Sequence, residues 1–210
     1  MLTKLLADYC RRKYFGTNNQ PIQIGVYRPS VLSWSCLRQQ WNYYKELHDK
    51  TPEEIPDDVV LLLAGGIVFH RLIQQLTENG KRYWDKIEVE CSIEVPLPTG
   101  TIVIVGHADA IKNGKVYEFK HVRTLPSKPK FNHLLQLNFY LKALNTVEGY
   151  LIYAGYNEFG GLAVREFPWY LSNWHFQHLV NRAETLHYLL ISDQPPRCSC
   201  RDQRHEVVIL

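Results

Sequence analysis

GHADAIKNGKVYEFKH, residues 106–121, is a hairpin whose register can be read from the letters alone. Asn113-Gly114 supplies two residues that tolerate positive φ, as a two-residue turn matched to the twist of its strands requires. With those residues as the loop, Lys112 pairs with Lys115, Ile111 with Val116 and Ala110 with Tyr117, and Asp109 falls opposite Glu118. Opposed residues share a face, with β-carbons roughly 5 Å apart. Lys120 lies two residues beyond Glu118, so strand alternation places it on that face too. Two acids facing each other among apolar strand residues repel, and a cation between them removes the conflict. The register therefore predicts a metal site with an ammonium beside it.

Outward from the hairpin, the middle of the chain reads as β-rich. Ile87 to Val95 and Thr101 to Ile111 are expected strands joined across Pro96-Leu97-Pro98-Thr99-Gly100, and the second continues through the turn into Val116 to Val122. Before them, a helix of about four turns is expected over Ala64 to Glu78, where Val68, Leu72 and Leu76 recur at helical spacing and Asn79-Gly80 supplies the stop. After them, Leu134, Leu137, Leu141 and Leu144 form an apolar stripe on a helix over Lys130 to Asn145. Strands at Tyr150 to Tyr156 and Leu162 to Trp169 flank Phe159-Gly160-Gly161, and a last helix spans Asn173 to Ile191. The N-terminal third reads as helical and aromatic, with Ser30 capping a helix that runs through Cys36 into Trp41, Tyr43 and Tyr44. The pattern predicts an α/β layered domain with a mixed sheet. Its expected divisions are an N-terminal helical region at 1–60, a core at 61–192 and a cysteine-bearing tail at 193–210.

A chain of 210 residues that is 45% hydrophobic and 21% charged can bury one substantial core. The longest apolar run, Val59 to Phe69, is far short of the roughly 20 residues of a membrane span, so no membrane partner is expected. MLTKLLADYCRRKYF lacks the order of a secretory signal, which leads us to expect an intracellular, cytoplasmic protein. The net charge of +3 is too small to announce nucleic-acid binding, so any such footprint must come from clustering. Arg11-Arg12-Lys13 forms one cluster, and Lys112, Lys115, Lys120, Arg123, Lys128 and Lys130 form another around the hairpin. Five cysteines, an odd number, argue against a disulfide framework and for metal or cluster ligation. Cys91, within a strand, reads instead as a small buried hydrophobe.

Asp109, Glu118 and Lys120 supply what metal-dependent phosphodiester hydrolysis needs: oxygen ligands for a hard cation, and a positive group for the scissile phosphate and its attacking water. His70, four residues after Gly66 on one helical face, adds an imidazole ligand, the glycine permitting close approach. Oxygen with imidazole favours manganese or magnesium over zinc. His107 would stand opposite Lys120, where a phosphate contact and a structural role are both open. Gln136 and Tyr140, four apart on a helix flank, could reach a nucleic-acid backbone. Trp41, Tyr43 and Tyr44 could stack unpaired bases or pack around Cys36.

In order, Cys36, Gly66-x-x-x-His70, Gly106-x-x-Asp109, Glu118-x-Lys120, Gln136-x-x-x-Tyr140 and Cys198-x-Cys200 resemble the motif set of the RecB-type PD-(D/E)xK nucleases, specifically the fourth family of CRISPR-associated proteins. The resemblance implies a restriction-endonuclease-like core and a DNA exonuclease, with endonuclease activity in some members, using Mn²⁺ or Mg²⁺. It implies metal ligation by His70, Asp109 and Glu118, catalysis by Lys120, and DNA contact by Gln136 and Tyr140. It further implies an iron–sulfur cluster on Cys36, Cys198 and Cys200 that joins the N-terminal helices to the tail. The family usually places three cysteines near the end, and this chain has two there, so the fourth ligand is left to His205 or Cys10. Processing of spacer-precursor DNA beside the CRISPR integrase proteins follows from the same resemblance, with DNA, single-stranded in expectation, as the other partner. The rival reading of the residues is a non-catalytic nucleic-acid-binding module whose cysteines hold structural zinc.

Overall fold

The computed structural model describes residues 2–14, 22–45 and 55–198. The hairpin forms as read: β5 (Gly100–Lys112) pairs antiparallel with β6 (Lys115–Thr124) through Lys112–Lys115, Ile111–Val116 and Ala110–Tyr117. Asn113 and Gly114 take φ of 50° and 71°, the left-handed values that a type I′ turn demands. On its other edge β5 pairs along its length with β4 (Lys86–Leu97). β6 continues into a parallel pair with β7 (Glu148–Tyr156), and β8 (Leu162–Tyr170) closes that edge antiparallel. A two-residue β1 (Val26–Tyr27) runs parallel to β5 at Val103 and Ile104. The result is a mixed six-stranded sheet.

The parallel β6–β7 step requires a crossover, and α5 (Phe131–Ala143) supplies it. Val116, Val122, Leu151 and Tyr153 face α5 and α6 (Asn173–Ile191), with Leu135, Leu137 and Leu141 fully buried. Residues of opposite parity, Phe119 and Ile152, with Trp84, meet Phe69 and Ile73 of α4 (Asp57–Gln74) on the other face. Burial of each large side chain contributes roughly 1.5–3 kcal/mol. Helices thus flank both faces of a mixed sheet, the α/β layered arrangement expected from the sequence. Among the described residues, no helix is long and apolar enough to cross a membrane.

Four expectations change. First, α4 begins at Asp57 and ends at Gln74, where the sequence leads one to expect a helix over Ala64 to Glu78. Second, Asn79-Gly80 ends no helix. It is the turn of a small hairpin between β2 (Thr77–Glu78) and β3 (Lys81–Arg82), with φ of 53° and 74° like those of Asn113-Gly114. Third, Val68, Leu72 and Leu76 do not enter the core: they are among the exposed hydrophobics, because α4 turns its Phe69–Ile73 side to the sheet and ends before Leu76. Fourth, the helix expected from Ser30 through Cys36 is two helices, α2 (Pro29–Leu32) and α3 (Leu37–Tyr44). Arg28 holds the N-cap position of the first without a side-chain capping bond, and Pro29 opens it. α1 (Leu2–Tyr14) packs on α4 through Ala7 and Cys10.

Candidate active site

The β5–β6 ladder stops at Ala110–Tyr117, one pair short of the acids. At the next position the strands part, and the Asp109 side chain fills the fork. Its Oδ2 accepts the Phe119 backbone N–H at 2.6 Å, replacing the carbonyl that a continued ladder would have supplied. Gly106 marks another crowded point on β5: a Cβ there would stand 2.8 Å from Pro29 Cγ and 3.1 Å from a Tyr140 ring carbon. On the far edge the β4 pairing omits Glu88 and Asp109, and Glu88 carries a φ of 48°. Gln74, the last residue of α4, bridges this kink by donating to Glu88 Oε1 and, at 3.3 Å, to the Asp109 carbonyl. Neither Gln74 nor Glu88 belongs to a motif, and a positive φ at a glutamate leaves no mark in a sequence.

The predicted residues converge on this fork. His70 Nδ1 lies 3.3 Å from Asp109 Oδ1. Lys120 Nζ donates to Glu118 Oε1 and to Gln136 Oε1, each at 2.7 Å, and Gln136 Nε2 donates to the Tyr140 hydroxyl at 3.0 Å. Glu118 is 1% exposed, and its Oε2 is a buried oxygen without a hydrogen-bond partner. Burial, then the charge of Asp109, holds the Glu118 carboxyl well above the ordinary carboxylate range, against the pull of Lys120 and His70. Burial works to lower the His70 pKa, but the hydrogen bond to Asp109 and the charges of both acids prevail and raise it. Tyr140 is raised far by burial and by the charge of Glu118.

A cation suits this arrangement. It would satisfy the orphaned Glu118 Oε2 and relieve the repulsion that raises that carboxyl. Among the described residues, no three His, Cys, Asp or Glu side chains are drawn together as a cage. Mg²⁺ asks for none, since it binds one or two carboxylates and keeps several waters or substrate phosphates.

No family model and no curated protein matches this sequence. Solved structures do. SSO0001 superposes with a TM-score of 0.60 at 21% identity, covering 90% of this chain and 87% of its own. A protein from Eubacterium rectale, provisionally named an exonuclease, superposes with a TM-score of 0.58 at 11% identity over 94% of both chains. The chain shares their fold.

The remaining predicted residues fall in several places. Gln136 and Tyr140 are buried, and their bonds run to Lys120 and to each other. His107 is half-exposed and lies 3.5 Å from Glu90 of β4, not beside Lys120, because the ladder has already opened. Gly66 has only ordinary contact with His121; the close approach is made by Gly65, whose added Cβ would meet the His121 ring at 3.1 Å. Trp41 and Tyr44 are core residues, which removes them as base-stacking surfaces. Cys91 is buried, as expected of a small hydrophobe.

Cys36 Sγ and Cys198 Sγ come within 3.8 Å across 162 residues of chain. The neighbourhood is tied by Lys45–Asp193 at 2.6 Å, the Trp41 indole on the Leu189 carbonyl at 3.3 Å, and Arg182 on the Trp34 carbonyl at 2.6 Å. Cys10 is buried elsewhere, with Ala7, Ile55, Val60 and Ala64. Cys200 and His205 lie outside the described residues.

Proposed function

We propose that this chain is a DNA nuclease that uses Mn²⁺ or Mg²⁺. The observation that carries the reading is the buried, unpartnered Glu118 Oε2 beside Asp109, with the Lys120 ammonium held in the same cluster. A cation on Asp109 and Glu118, with His70 turned from Asp109 Oδ1 to complete the set, would supply Lewis-acid polarisation of a phosphodiester and a lowered pKa for the attacking water. Lys120, fixed by Glu118 and Gln136, orients that water and offsets charge that develops on the phosphate oxygens. Gln136 and Tyr140 serve this step through the lysine, whose position they set. Exonuclease action and a place in CRISPR adaptation, with integrase proteins as partners, draw support from the ordered motifs running from Cys36 to Cys200.

An iron–sulfur cluster on Cys36, Cys198 and Cys200 belongs to the same reading, supported by the approach of the first two thiols. Its thiolate ligands would join the start of α3 to the tail.

The test is cleavage of end-labelled single- and double-stranded DNA with Mn²⁺ or Mg²⁺ by wild type, Asp109→Ala and Lys120→Ala. Loss in both variants and in chelator is expected. Cleavage that persists in both variants would remove this site from the reaction.

A further inference from the structure

With Trp41 and Tyr44 in the core, a different set of rings is left to meet solvent. Where the start of α5 passes the start of α6, the Phe131 ring centroid stands 5.7 Å from Trp174 and 5.4 Å from His178. Trp174 and His178 stack at 5.7 Å with planes 30° apart. This cluster is not core: Trp174 is 64% exposed and Phe131 43%. Large rings contribute most when water is removed from them, so two left wet and already ordered are surfaces ready to be covered.

Their surroundings indicate by what. Phe131 also forms a wall of an open cavity of about 630 Å³, with Lys128, Pro129 and Lys130 among its other walls. The other cations predicted around the hairpin are engaged, Lys112 with Glu78, Lys115 with Glu148, Lys120 with Glu118 and Arg123 with Asp58. Lys128 and Lys130 are exposed, and among the described residues neither meets a carboxylate. The loop that presents them is fastened at both ends. Arg165 donates to the Pro126 carbonyl at 2.9 Å, and the Lys130 backbone N–H donates to the Tyr153 hydroxyl at 3.1 Å. Tyr153 is the partner of Lys120 in the β6–β7 ladder. Phe131 precedes Gln136, the Lys120 ligand, by five residues of α5. That is about 7.5 Å along the helix axis and about 140° around it, so the path from the exposed rings to Lys120 runs around the start of α5.

We propose that Phe131 and Trp174, flanked by Lys128 and Lys130, form a stacking platform that receives unpaired bases of a DNA strand leading to Lys120. The assignment rests on the nuclease reading above. Flat rings with adjacent ammonium groups fit a single strand, whose bases expose their faces and whose phosphates take the lysines; a paired duplex hides those faces. Stacking of this kind changes affinity about 5- to 150-fold per base when the ring is removed.

The experiment is fluorescence anisotropy of the full chain in chelator, with labelled oligothymidylate of about 16 nucleotides and a blunt duplex of equal length as probes. Phe131→Ala/Trp174→Ala is expected to weaken single-strand binding about tenfold or more, and duplex binding about twofold or less. Trp174→Phe keeps a ring and should retain most of the affinity. Lys128→Ala/Lys130→Ala should flatten the salt dependence for the single strand. Unchanged single-strand affinity in the double aromatic variant overturns the platform, as does an equal loss for both probes. Binding in chelator does not depend on turnover. A wild type that binds through these rings yet cleaves nothing with Mn²⁺ or Mg²⁺ overturns the nuclease reading alone. A wild type that cleaves while the aromatic variant binds normally overturns the platform alone.

Discussion

Asp109 Oδ2 accepts the Phe119 backbone N–H at 2.6 Å, so one carboxylate both ends the β5–β6 ladder and begins the site. Structure and chemistry can be separated there by substitution. Asp109→Asn keeps an oxygen for the buried N–H, whereas Asp109→Ala leaves that donor unsatisfied at a cost of about 1–3 kcal/mol. Urea denaturation in chelator should therefore find Asp109→Asn close to wild type and Asp109→Ala clearly weaker. DNA cleavage should be lost in both. Equal stability of the two variants would mean that the fork does not depend on this bond.

Buried Glu118 and half-buried Lys120 form a pair that is costlier to halve than to replace. Lys120→Met strips the ammonium from a carboxylate that is 1% exposed; breaking such pairs costs about 3–5 kcal/mol. Protonation of Glu118, already favoured by its burial, trims that figure. Glu118→Gln/Lys120→Met removes both charges and should be more stable than Lys120→Met alone, though equally inactive. A double variant whose urea midpoint lies below that of the single one would contradict the pairing.

The parts of the site that were legible in the sequence are those set by short-range rules. A two-residue turn and strand alternation put Asp109, Glu118 and Lys120 together, and helical spacing carried Gln136 and Tyr140. The missing fourth rung could not be read, because a side chain took over the work of a backbone carbonyl at Asp109, and no propensity encodes that exchange. The Asn-Gly dipeptide makes the same point at the level of the fold. At 113–114 it lies between alternating apolar strands and reads as a hairpin; at 79–80 its strands are the polar pairs Thr77-Glu78 and Lys81-Arg82, which have no period to read. Yet both turns adopt the same left-handed conformation. On α4 the helical spacing of Val68 and Leu72 is real, but the helix ends before Leu76, and which stripe meets the sheet is decided by Phe69 and Ile73 against Trp84 and Phe119.

The two thiols that approach across the N- and C-terminal regions should reveal themselves by colour. Wild-type protein prepared without oxygen is expected to be brown, with iron and acid-labile sulfide, and Cys36→Ala to be pale and less stable. A colourless wild type that contains zinc would favour a structural zinc site instead. Because Lys45–Asp193 and the Trp41 indole still tie α3 to α6, Cys36→Ala should loosen the tail without unfolding the core. Proteolysis that begins near residue 198 in the variant, with the core fragment intact, would report this.

His133 gives the protein a pH dependence of its own. Its Nδ1 lies 2.8 Å from the Tyr153 hydroxyl. Burial, then the charges of Lys120 and Lys130, push its pKa down to about 2. In the unfolded chain it titrates at about 6.5. Between those values the unfolded state binds the extra proton, so stability rises with pH there. The contribution is present above pH 6.5 and is lost as the pH falls below it. From pH 7 to pH 5 the loss amounts to about 1–2 kcal/mol. His133→Gln retains a polar group for Tyr153 but does not titrate. Urea midpoints of wild type and His133→Gln, compared across that interval, should converge as the solution becomes more acidic. Parallel curves would mean that His133 is protonated in the folded protein, with its neighbouring lysines displaced to admit the charge.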